Sequence, residues 1–356
     1  RPGVKRREVL AWALYDFANS GYSTVVITAV FSAYFVAGVA HNAPWATFAW
    51  TFALSVSYAL VMAASPLVGA WADRHAAKKK LLWLTTAGCV AGTAALAFAS
   101  PGALVAAIAA LVVSNFFFGL GENLIAAFLP ELAQPRALGR ISGWGWAVGY
   151  VGGLLSLGAT LAYIQWAEAA GQGAGQFVPA SMLLTAGIFM VASLPTLLVL
   201  RERARPQAGV RPAWAEVRRT LSHLSELADL RAFLVCTVLY QAGIQAVITL
   251  AAIYAAQVFD FSTQKTIGLV LVVNLTAAVG AFAFGYVQDR VGHVRAIALT
   301  LAGWLCMVAL AWAAVGETLF WVAANVAGLC MGASQSAGRA LVGYLDRCRC
   351  GDSAVP

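Results

Sequence analysis

The stretch Gly69-Ala70-Trp71-Ala72-Asp73-Arg74 ends one long apolar segment and precedes the basic run Lys78-Lys79-Lys80. It returns 216 residues later as Gly285-Tyr286-Val287-Gln288-Asp289-Arg290, again at the end of an apolar segment. A single Gly-x-x-x-Asp-Arg hexamer is weak evidence, because any polar loop after a helix can contain one. Two copies at one offset, each near the same point of a half, indicate two related helical halves.

The composition indicates a membrane protein. Of the 356 residues, 61% are hydrophobic and only 11% are charged, with a mean hydropathy of +0.77. A soluble domain carries about a quarter charged residues. Apolar runs of about 20 residues, enough to cross about 30 Å of hydrocarbon, recur along the chain. We predict ten membrane spans, at residues 10–36, 46–71, 80–99, 103–128, 142–165, 178–200, 232–256, 266–287, 294–314 and 318–342.

The basic residues lie on one side of the predicted spans. Of 23 Lys and Arg, only Lys265 falls in an external loop, and the other 22 lie at the N-terminus, at internal loops or the inner ends of spans, or in the C-terminal tail. This asymmetry follows the positive-inside rule and predicts that both termini are cytoplasmic. A nucleic-acid surface would gather its charge on one folded face. The net charge of +8 therefore does not indicate nucleic-acid binding.

The spans divide the chain into four parts. Residues 1–200 form a predicted six-helix bundle, and residues 232–343 form a second bundle of four spans. Between them, residues 201–231 are a basic cytoplasmic linker, in which apolar residues at helical spacing predict a short interfacial helix. Residues 344–356 form a cytoplasmic tail.

This layout resembles the major facilitator superfamily, whose signature loop joins the second and third helices and is echoed between the eighth and ninth. The resemblance implies an all-α polytopic fold with two six-helix halves. Only four predicted spans follow the linker, so helices eleven and twelve are absent and the C-terminal half is incomplete. We expect a truncated or frameshifted sequence rather than a natural ten-helix protein, and we do not expect this chain alone to transport.

Polar side chains inside apolar spans are candidates for a solute or coupling-ion path. A charge at the bilayer centre costs at least about 2.5–3.5 kcal/mol, so it invites a functional interpretation. The candidates lie on spans one, four, seven and ten, which line the central cavity of the superfamily that the chain resembles. They are Asp16, Asn19, Ser20, Asn115, Glu122, Gln241, Gln245, Asn325, Gln335 and Arg339.

Each candidate also has a structural interpretation. Asp16 lies near the inner interface, where water keeps a carboxylate charged, and Arg339 can snorkel to the surface. Asn and Gln also serve as interhelical hydrogen-bonding residues. Glu122 is the leading candidate because it lies near the middle of its span. Desolvation favours the neutral form of a carboxylic acid, so a carboxylate there is a candidate for carrying a coupling proton or for binding a substrate ammonium group.

The two hexamers predict gating loops. Gly69 and Gly285 allow close backbone approach. An Asp at a helix N-terminus contributes about 0.3–1 kcal/mol, and up to ~2 kcal/mol when partly buried. The superfamily resemblance implies that Asp289 faces the start of the fifth helix, near Ile141 and Ser142, and that Asp73 faces the eleventh. The predicted gating residues are Gly69, Asp73, Arg74, Gly285, Asp289 and Arg290.

Three stretches are similar to the vacuole-effluxer-like family, the bacterial relatives of the fungal autophagy-related vacuolar amino-acid exporter. They are Trp12-Ala13-Leu14-Tyr15-Asp16-Phe17-Ala18-Asn19-Ser20-Gly21-Tyr22, residues 123–150 with Phe128-Leu129-Pro130-Glu131-Leu132 and the run from Gly139 to Tyr150, and Gln335-Ser336-Ala337-Gly338-Arg339. The resemblance implies export of a small solute, with neutral amino acids suggested by the fungal members. It also implies a multi-pass protein of a bacterial inner membrane, in contact with lipid.

Other classes of function remain open. The leading hypothesis is a secondary transporter, driven by a proton or another ion gradient; a sugar or drug carrier is the alternative of the same fold. A truncated, non-transporting membrane protein is a third possibility. A membrane enzyme would need clustered Asp or His ligands, and an ATP-driven pump would need a Gly-rich loop ending in Gly-Lys-Ser/Thr. The sequence has neither, so we expect no cofactor, metal site or enzymatic activity. We also expect a monomer.

Reporter fusions at Gly209 test the predicted orientation. Because 22 of the 23 basic residues lie on the predicted inner side, β-galactosidase fused there should be active and alkaline phosphatase inactive. A fusion within residues 166–177, an external loop, should give the opposite pattern and serves as the control. Alkaline phosphatase activity at Gly209 would contradict the orientation.

Overall fold

The computed structural model describes residues 4–203, 228–261 and 263–349, and positions 214, 215, 218 and 222 between the first two ranges. Of the interfacial helix predicted within residues 201–231, only positions 214, 215, 218 and 222 are described, and they are helical. The tail from residue 350 lies outside the described residues. The predicted tail begins at residue 344, but the last described helix continues to Arg349.

All regular secondary structure in these described ranges is helical, as the composition predicts. Ten long helices follow one another, and all connections between them are short except the one between α6 and α7, residues 200–227. They are α1 Arg6–Val39, α2 Ala46–His75, α3 Lys78–Ala95, α4 Leu104–Ala126, α5 Leu138–Ala169, α6 Ala174–Val199, α7 Ala228–Phe259, α8 Thr263–Val291, α9 His293–Trp312 and α10 Glu317–Arg349.

Nine of these described helices are long and apolar enough to cross a membrane, namely α1 to α9. For α7 this holds for the part from Arg231 to Ile248. Helix α10 is long enough, with 33 residues, but it is not among the nine. Asn325 and Gln335 lower the hydropathy of its apolar part. The prediction of ten helices is therefore confirmed, and nine of them meet the criterion for a span.

Helix α1 changes its winding along its length. It is α-helical over Arg6–Tyr22, π-helical over Ser23–Ala29, α-helical for one turn over Phe31–Tyr34 and π-helical again over Phe35–Val39. The first π-helical stretch contains consecutive β-branched residues, which crowd the preceding turn of a regular α-helix. Wider turns of this kind are frequent at functional sites. This one directly follows the polar residues of α1.

One compact unit comprises Pro2–Glu131 and Gly152–Val217. In this unit, aromatic side chains of α1 form hydrogen bonds with α3 and α4. The indole Nε1 of Trp12 donates to the Ile125 carbonyl at 2.8 Å, and the Tyr15 hydroxyl lies 2.8 Å from the Thr86 hydroxyl. These buried bonds satisfy the polar ends of large side chains in an otherwise apolar interior.

The other compact unit comprises Leu132–Val151 and Arg218–Pro356, together with Arg1. Within it, α8 and α10 pack backbone against backbone. A Cβ atom on Gly332 would collide with the Ala277 carbonyl, and one on Gly280 would collide with the Leu329 carbonyl. Small residues allow this close approach between membrane helices. The first part of α5 packs in the same unit, which places it beside α8 and α10.

Candidate functional site

The polar residues of α1 are enclosed by the first compact unit. Asp16 is 7% exposed and Asn19 is 5% exposed, while Ser20 is half-buried. The expectation that water reaches Asp16 near the interface is therefore wrong, because the helix turns this side chain towards the protein. Both amide atoms of Asn19 are buried without a hydrogen-bond partner among the described residues. Such a group is unfavourable unless water or a ligand supplies the missing bonds.

The two candidates on α4 differ in their surroundings. Asn115 is fully buried, and its Nδ2 donates to the Ser57 hydroxyl of α2 at 2.9 Å. This bond is an interhelical contact, as the structural interpretation of Asn and Gln predicted. Glu122 is exposed, within electrostatic range of the phenol groups of Tyr15 and Tyr58. Among the described residues, the Glu122 side chain is therefore not enclosed.

In the second unit, the structure brings together only some of the predicted amides. Gln241 of α7 and Gln335 of α10 pair, with the Gln241 Nε2 donating to the Gln335 Oε1 at 3.1 Å. Asn325 donates instead to the Trp321 carbonyl of its own helix at 2.8 Å. Gln245 is exposed on α7. The stripe along α10 therefore does not form one continuous polar site.

Arg339 is held against the first part of α5. Its Nε donates to the Ser142 hydroxyl at 3.1 Å, and its Nη2 donates to the Ser142 carbonyl at 2.9 Å. The guanidinium carbon lies 5.3 Å from the centre of the Trp146 ring. These contacts fix the charge over an aromatic face, so the side chain does not simply extend to the membrane surface.

The second hexamer places a carboxylate at a helix start. The Asp289 Oδ1 accepts from the Gly139 backbone N–H at 2.9 Å, and its Oδ2 accepts from that of Arg140 at 3.1 Å. The contact falls two residues before the expected Ile141 and Ser142, because the unpaired N–H groups lie in the first turn of α5. A Cβ on Gly285 would lie 2.7 Å from the Gly139 carbonyl, so glycine permits the close approach.

Two residues of the same hexamer also form hydrogen bonds with other helices. Gln288 is 1% exposed, and its Nε2 donates to the Ala337 carbonyl of α10 at 3.1 Å. The same Nε2 lies 2.9 Å from the His293 Nδ1. The Tyr286 hydroxyl accepts from the Trp144 indole at 3.2 Å. Sequence reasoning missed both residues, although they stand inside the hexamer. Arg290 is exposed.

The first hexamer makes different contacts. Asp73 pairs with the Lys78 ammonium at 3.3 Å across the turn between α2 and α3, and its side chain is 61% exposed. The expectation that Gly69 allows close backbone approach is wrong here, since a Cβ on it would meet nothing within 4 Å. Gly69, Asp73 and Lys78 instead line a cleft of about 200 Å³ between α2 and α4. Arg74 is half-buried.

Acidic residues that sequence reasoning did not single out surround Lys78. Glu131 is 8% exposed and accepts from the Lys78 ammonium at 3.2 Å and from the Arg203 backbone N–H at 2.8 Å. Glu202 accepts from the backbone N–H groups of Lys78 and Lys79 at 2.8 and 3.1 Å. Glu202 thus accepts from backbone N–H groups in the first turn of α3, as Asp289 does in the first turn of α5.

Comparison with known proteins identifies the fold. The family model described as Major Facilitator Superfamily matches residues 3–157 and 53–345. The chain is 23% identical over 346 residues to an uncharacterized MFS-type transporter, YxiO, of Bacillus subtilis (strain 168), covering 92% of this chain and 78% of that protein.

Solved structures of three transporters have a similar fold. The human organic anion transporter MFSD10 (TETRAN) aligns with a TM-score of 0.72 at 16% identity, over 97% of this chain and 87% of that one. The proton:xylose symporter XylE aligns with a TM-score of 0.70 at 13% identity, over 95% and 81%. A bacterial homologue of the iron transporter ferroportin in its outward-facing state aligns with a TM-score of 0.68 at 14% identity, over 98% and 84%.

The substitution Asp289→Asn tests the contact at the start of α5. It removes the charge and one of two acceptors, an interaction worth about 0.3–2 kcal/mol at a helix N-terminus. We expect faster hydrogen exchange at the Gly139 and Arg140 amides, measured by mass spectrometry of a peptide that contains them. Arg290→Gln, at the exposed neighbouring position, should leave that exchange unchanged. Equal exchange in all three proteins would show that Asp289 is merely a solvated loop carboxylate.

Proposed function

This chain belongs to the Major Facilitator Superfamily of transporters, and we propose that it is a secondary active transporter that exports a small solute by alternating access. Within the superfamily we propose the vacuole-effluxer-like family, because of the similarity of residues 12–22 and 123–150 noted above. That family makes a neutral amino acid our first candidate for the solute. We also propose that the protein lies in a bacterial inner membrane with both termini in the cytoplasm, that it is a monomer and that it has no enzymatic activity.

The proposed domain organisation follows the sequence. Residues 1–200 form the N-terminal bundle, residues 201–231 the cytoplasmic linker and residues 232–343 the C-terminal bundle. Asp73, Arg74, Asp289 and Arg290, with the glycines at positions 69 and 285, are the proposed gating residues. The bond from Asp289 to the first turn of α5 supports this role, because an attraction of a few kcal/mol or less can be broken and remade during a conformational change.

The single observation that carries the proposed solute site is the amide of Asn19. It is buried, it lacks a hydrogen-bond partner among the described residues, and it lies one turn after the buried carboxylate of Asp16. An amide offers both a donor and an acceptor, and a carboxylate attracts an ammonium group. Together they suit a small solute with an amino group. The π-helical turns that follow support a functional role for this part of α1.

A sugar carrier is the second candidate. The paired amides of Gln241 and Gln335 offer neutral donors and acceptors that suit a solute rich in hydroxyl groups. Amides such as these bond hydroxyl groups without requiring a charge. The solved relative XylE is a proton:xylose symporter. An amino acid and a pentose therefore need to be compared in the same assay.

Uptake by proteoliposomes tests the proposal. For the protein with two complete halves, we expect saturable uptake of labelled leucine in response to a proton gradient, with D-xylose giving no signal. Asn19→Leu should reduce leucine uptake about five- to thirtyfold, because a lost hydrogen bond to a polar solute costs about 1–2 kcal/mol. Asn274→Leu is the matched control, since its amide donates to the Val270 carbonyl of its own helix at 2.8 Å. Uptake of D-xylose alone would favour the sugar carrier, and no uptake of either would favour a non-transporting membrane protein.

Glu122→Gln separates two roles for this carboxylate. As the proposed proton carrier, it should lose gradient-driven accumulation and retain exchange of leucine across the membrane, because a neutral amide cannot release a proton. Loss of both activities would instead indicate binding of the substrate ammonium group. If the variant transports as well as the parent at every pH tried, Glu122 has neither role. The measurements are accumulation and counterflow in the same proteoliposomes.

A further inference from the structure

The side-chain amide of Gln288 holds two bonds through its nitrogen. The Nε2 donates to the Ala337 carbonyl of α10 at 3.1 Å and lies 2.9 Å from the Nδ1 of His293 at the start of α9. An amide nitrogen can only donate, so the His293 Nδ1 must accept the second bond. The other ring nitrogen then carries the hydrogen, and the Pro135 carbonyl lies within hydrogen-bonding reach of the ring. This arrangement requires a neutral His293.

The amide oxygen of Gln288 lacks a donor. The residue is 1% exposed, and its Oε1 is buried without a hydrogen-bond partner among the described residues. A Cβ on Gly139 would lie 2.9 Å from this oxygen, 2.8 Å from the Asp289 Oδ1 and 2.9 Å from the Gly285 carbonyl oxygen. Three acceptors thus surround one small space, in which an amide nitrogen would be better placed than an amide oxygen.

A proton on His293 reverses the orientation that the amide prefers. A protonated imidazole donates from both ring nitrogens, so its Nδ1–H would face the donors of the Gln288 amide. Rotation of the amide by half a turn removes this conflict, because its oxygen then accepts from the ring. The amide nitrogen enters the small space, where a carbonyl and a carboxylate accept from it. The Ala337 carbonyl loses its side-chain donor.

Other titratable and charged side chains lie on the elements around His293. Tyr344 of α10 packs against the imidazole, with ring centres 5.0 Å apart. Asp289, one turn before His293 in sequence, directs both carboxylate oxygens to N–H groups at the start of α5. Among the arginines whose side chains are described on or beside these elements, Arg136, Arg290 and Arg295 are exposed, Arg140 lies over the Tyr286 ring, and Arg339 bonds to Ser142.

We propose that His293 and Gln288 form a proton-sensitive switch where α8 meets α10. With His293 neutral, the Gln288 amide joins the two helices through the Ala337 carbonyl. A proton on His293 turns the amide, releases α10 and brings an N–H donor beside the Asp289 carboxylate that holds the start of α5. Histidine changes its charge between about pH 5 and 8, so cytoplasmic acidification would loosen this packing. The switch needs no solute and does not rest on the proposed function.

Hydrogen exchange of the purified chain in detergent tests the switch. The measured quantity is the protection factor of an α10 peptide that contains Ala337, at about pH 8 and about pH 5. A protection factor compares the observed rate with the intrinsic rate at the same pH, so it removes the direct effect of pH on exchange. We expect the parent to lose about fivefold protection at the lower pH, the loss of one hydrogen bond.

Two histidine variants locate the proton. His293→Gln can still accept a bond from Gln288 but cannot gain a proton, so its protection factor should be equal at both pH values. His75→Gln is the matched control, because this exposed histidine bonds the Trp71 carbonyl of its own helix at 2.9 Å. Its protection should fall at the lower pH as in the parent. An equal fall in His293→Gln and the parent, or no fall in the parent, would overturn the proposal.

Gln288→Met tests the amide independently of the histidine. Methionine has a similar length but cannot donate to the Ala337 carbonyl. We expect low protection of the same α10 peptide at both pH values, with no further loss on acidification. If Gln288→Met keeps the pH-dependent loss of the parent, the proton acts elsewhere and the switch is refuted. This variant decides the question even if His293→Gln does not fold.

Discussion

The contact between the Asp289 carboxylate and the first turn of α5 is the interaction on which the second unit depends. It satisfies two backbone N–H groups that the helix itself cannot pair. It also requires backbones close enough that a side chain on Gly285 or Gly139 would interfere. With the start of α5 held against α8, Ser142 and Trp146 come to lie against Arg339 of α10. One carboxylate and two glycines thus contribute to the packing of α5 against α8.

The two hexamers show that a repeated sequence need not make repeated contacts. Asp289 bonds to a helix start, whereas Asp73 pairs with the Lys78 ammonium across a turn. The start of α3 is instead satisfied by Glu202, which lies just beyond α6. The chemistry is the same at both helices, because a carboxylate accepts hydrogen bonds from the unpaired N–H groups and is attracted by the positive end of the helix dipole. The residue that supplies the carboxylate differs.

The polar residues inside the bundles fall into two groups. Asn115 with Ser57, and Gln241 with Gln335, satisfy one another across helices and so can be explained as packing contacts. The Asn19 amide and the Trp146 N–H have no such partner among the described residues. Buried polar groups of this second kind are unfavourable unless something else bonds to them. The distinction is useful because it separates candidates for ligand binding from residues that hold helices together.

The helix that Asp289 meets followed from the resemblance to the superfamily, and the sequence by itself determined the helical class and the ten helices. These features depend on local properties, namely the length of apolar runs and the order of residues along each segment. Only the tertiary structure decided that Asp16 is buried, that Glu122 is exposed, that Asn325 bonds its own helix and that Trp146 lacks an acceptor. Spacing shows which residues share one face of a helix. What covers that face depends on how helices distant in sequence rotate and cross, because each side chain is satisfied by partners that the local sequence does not contain.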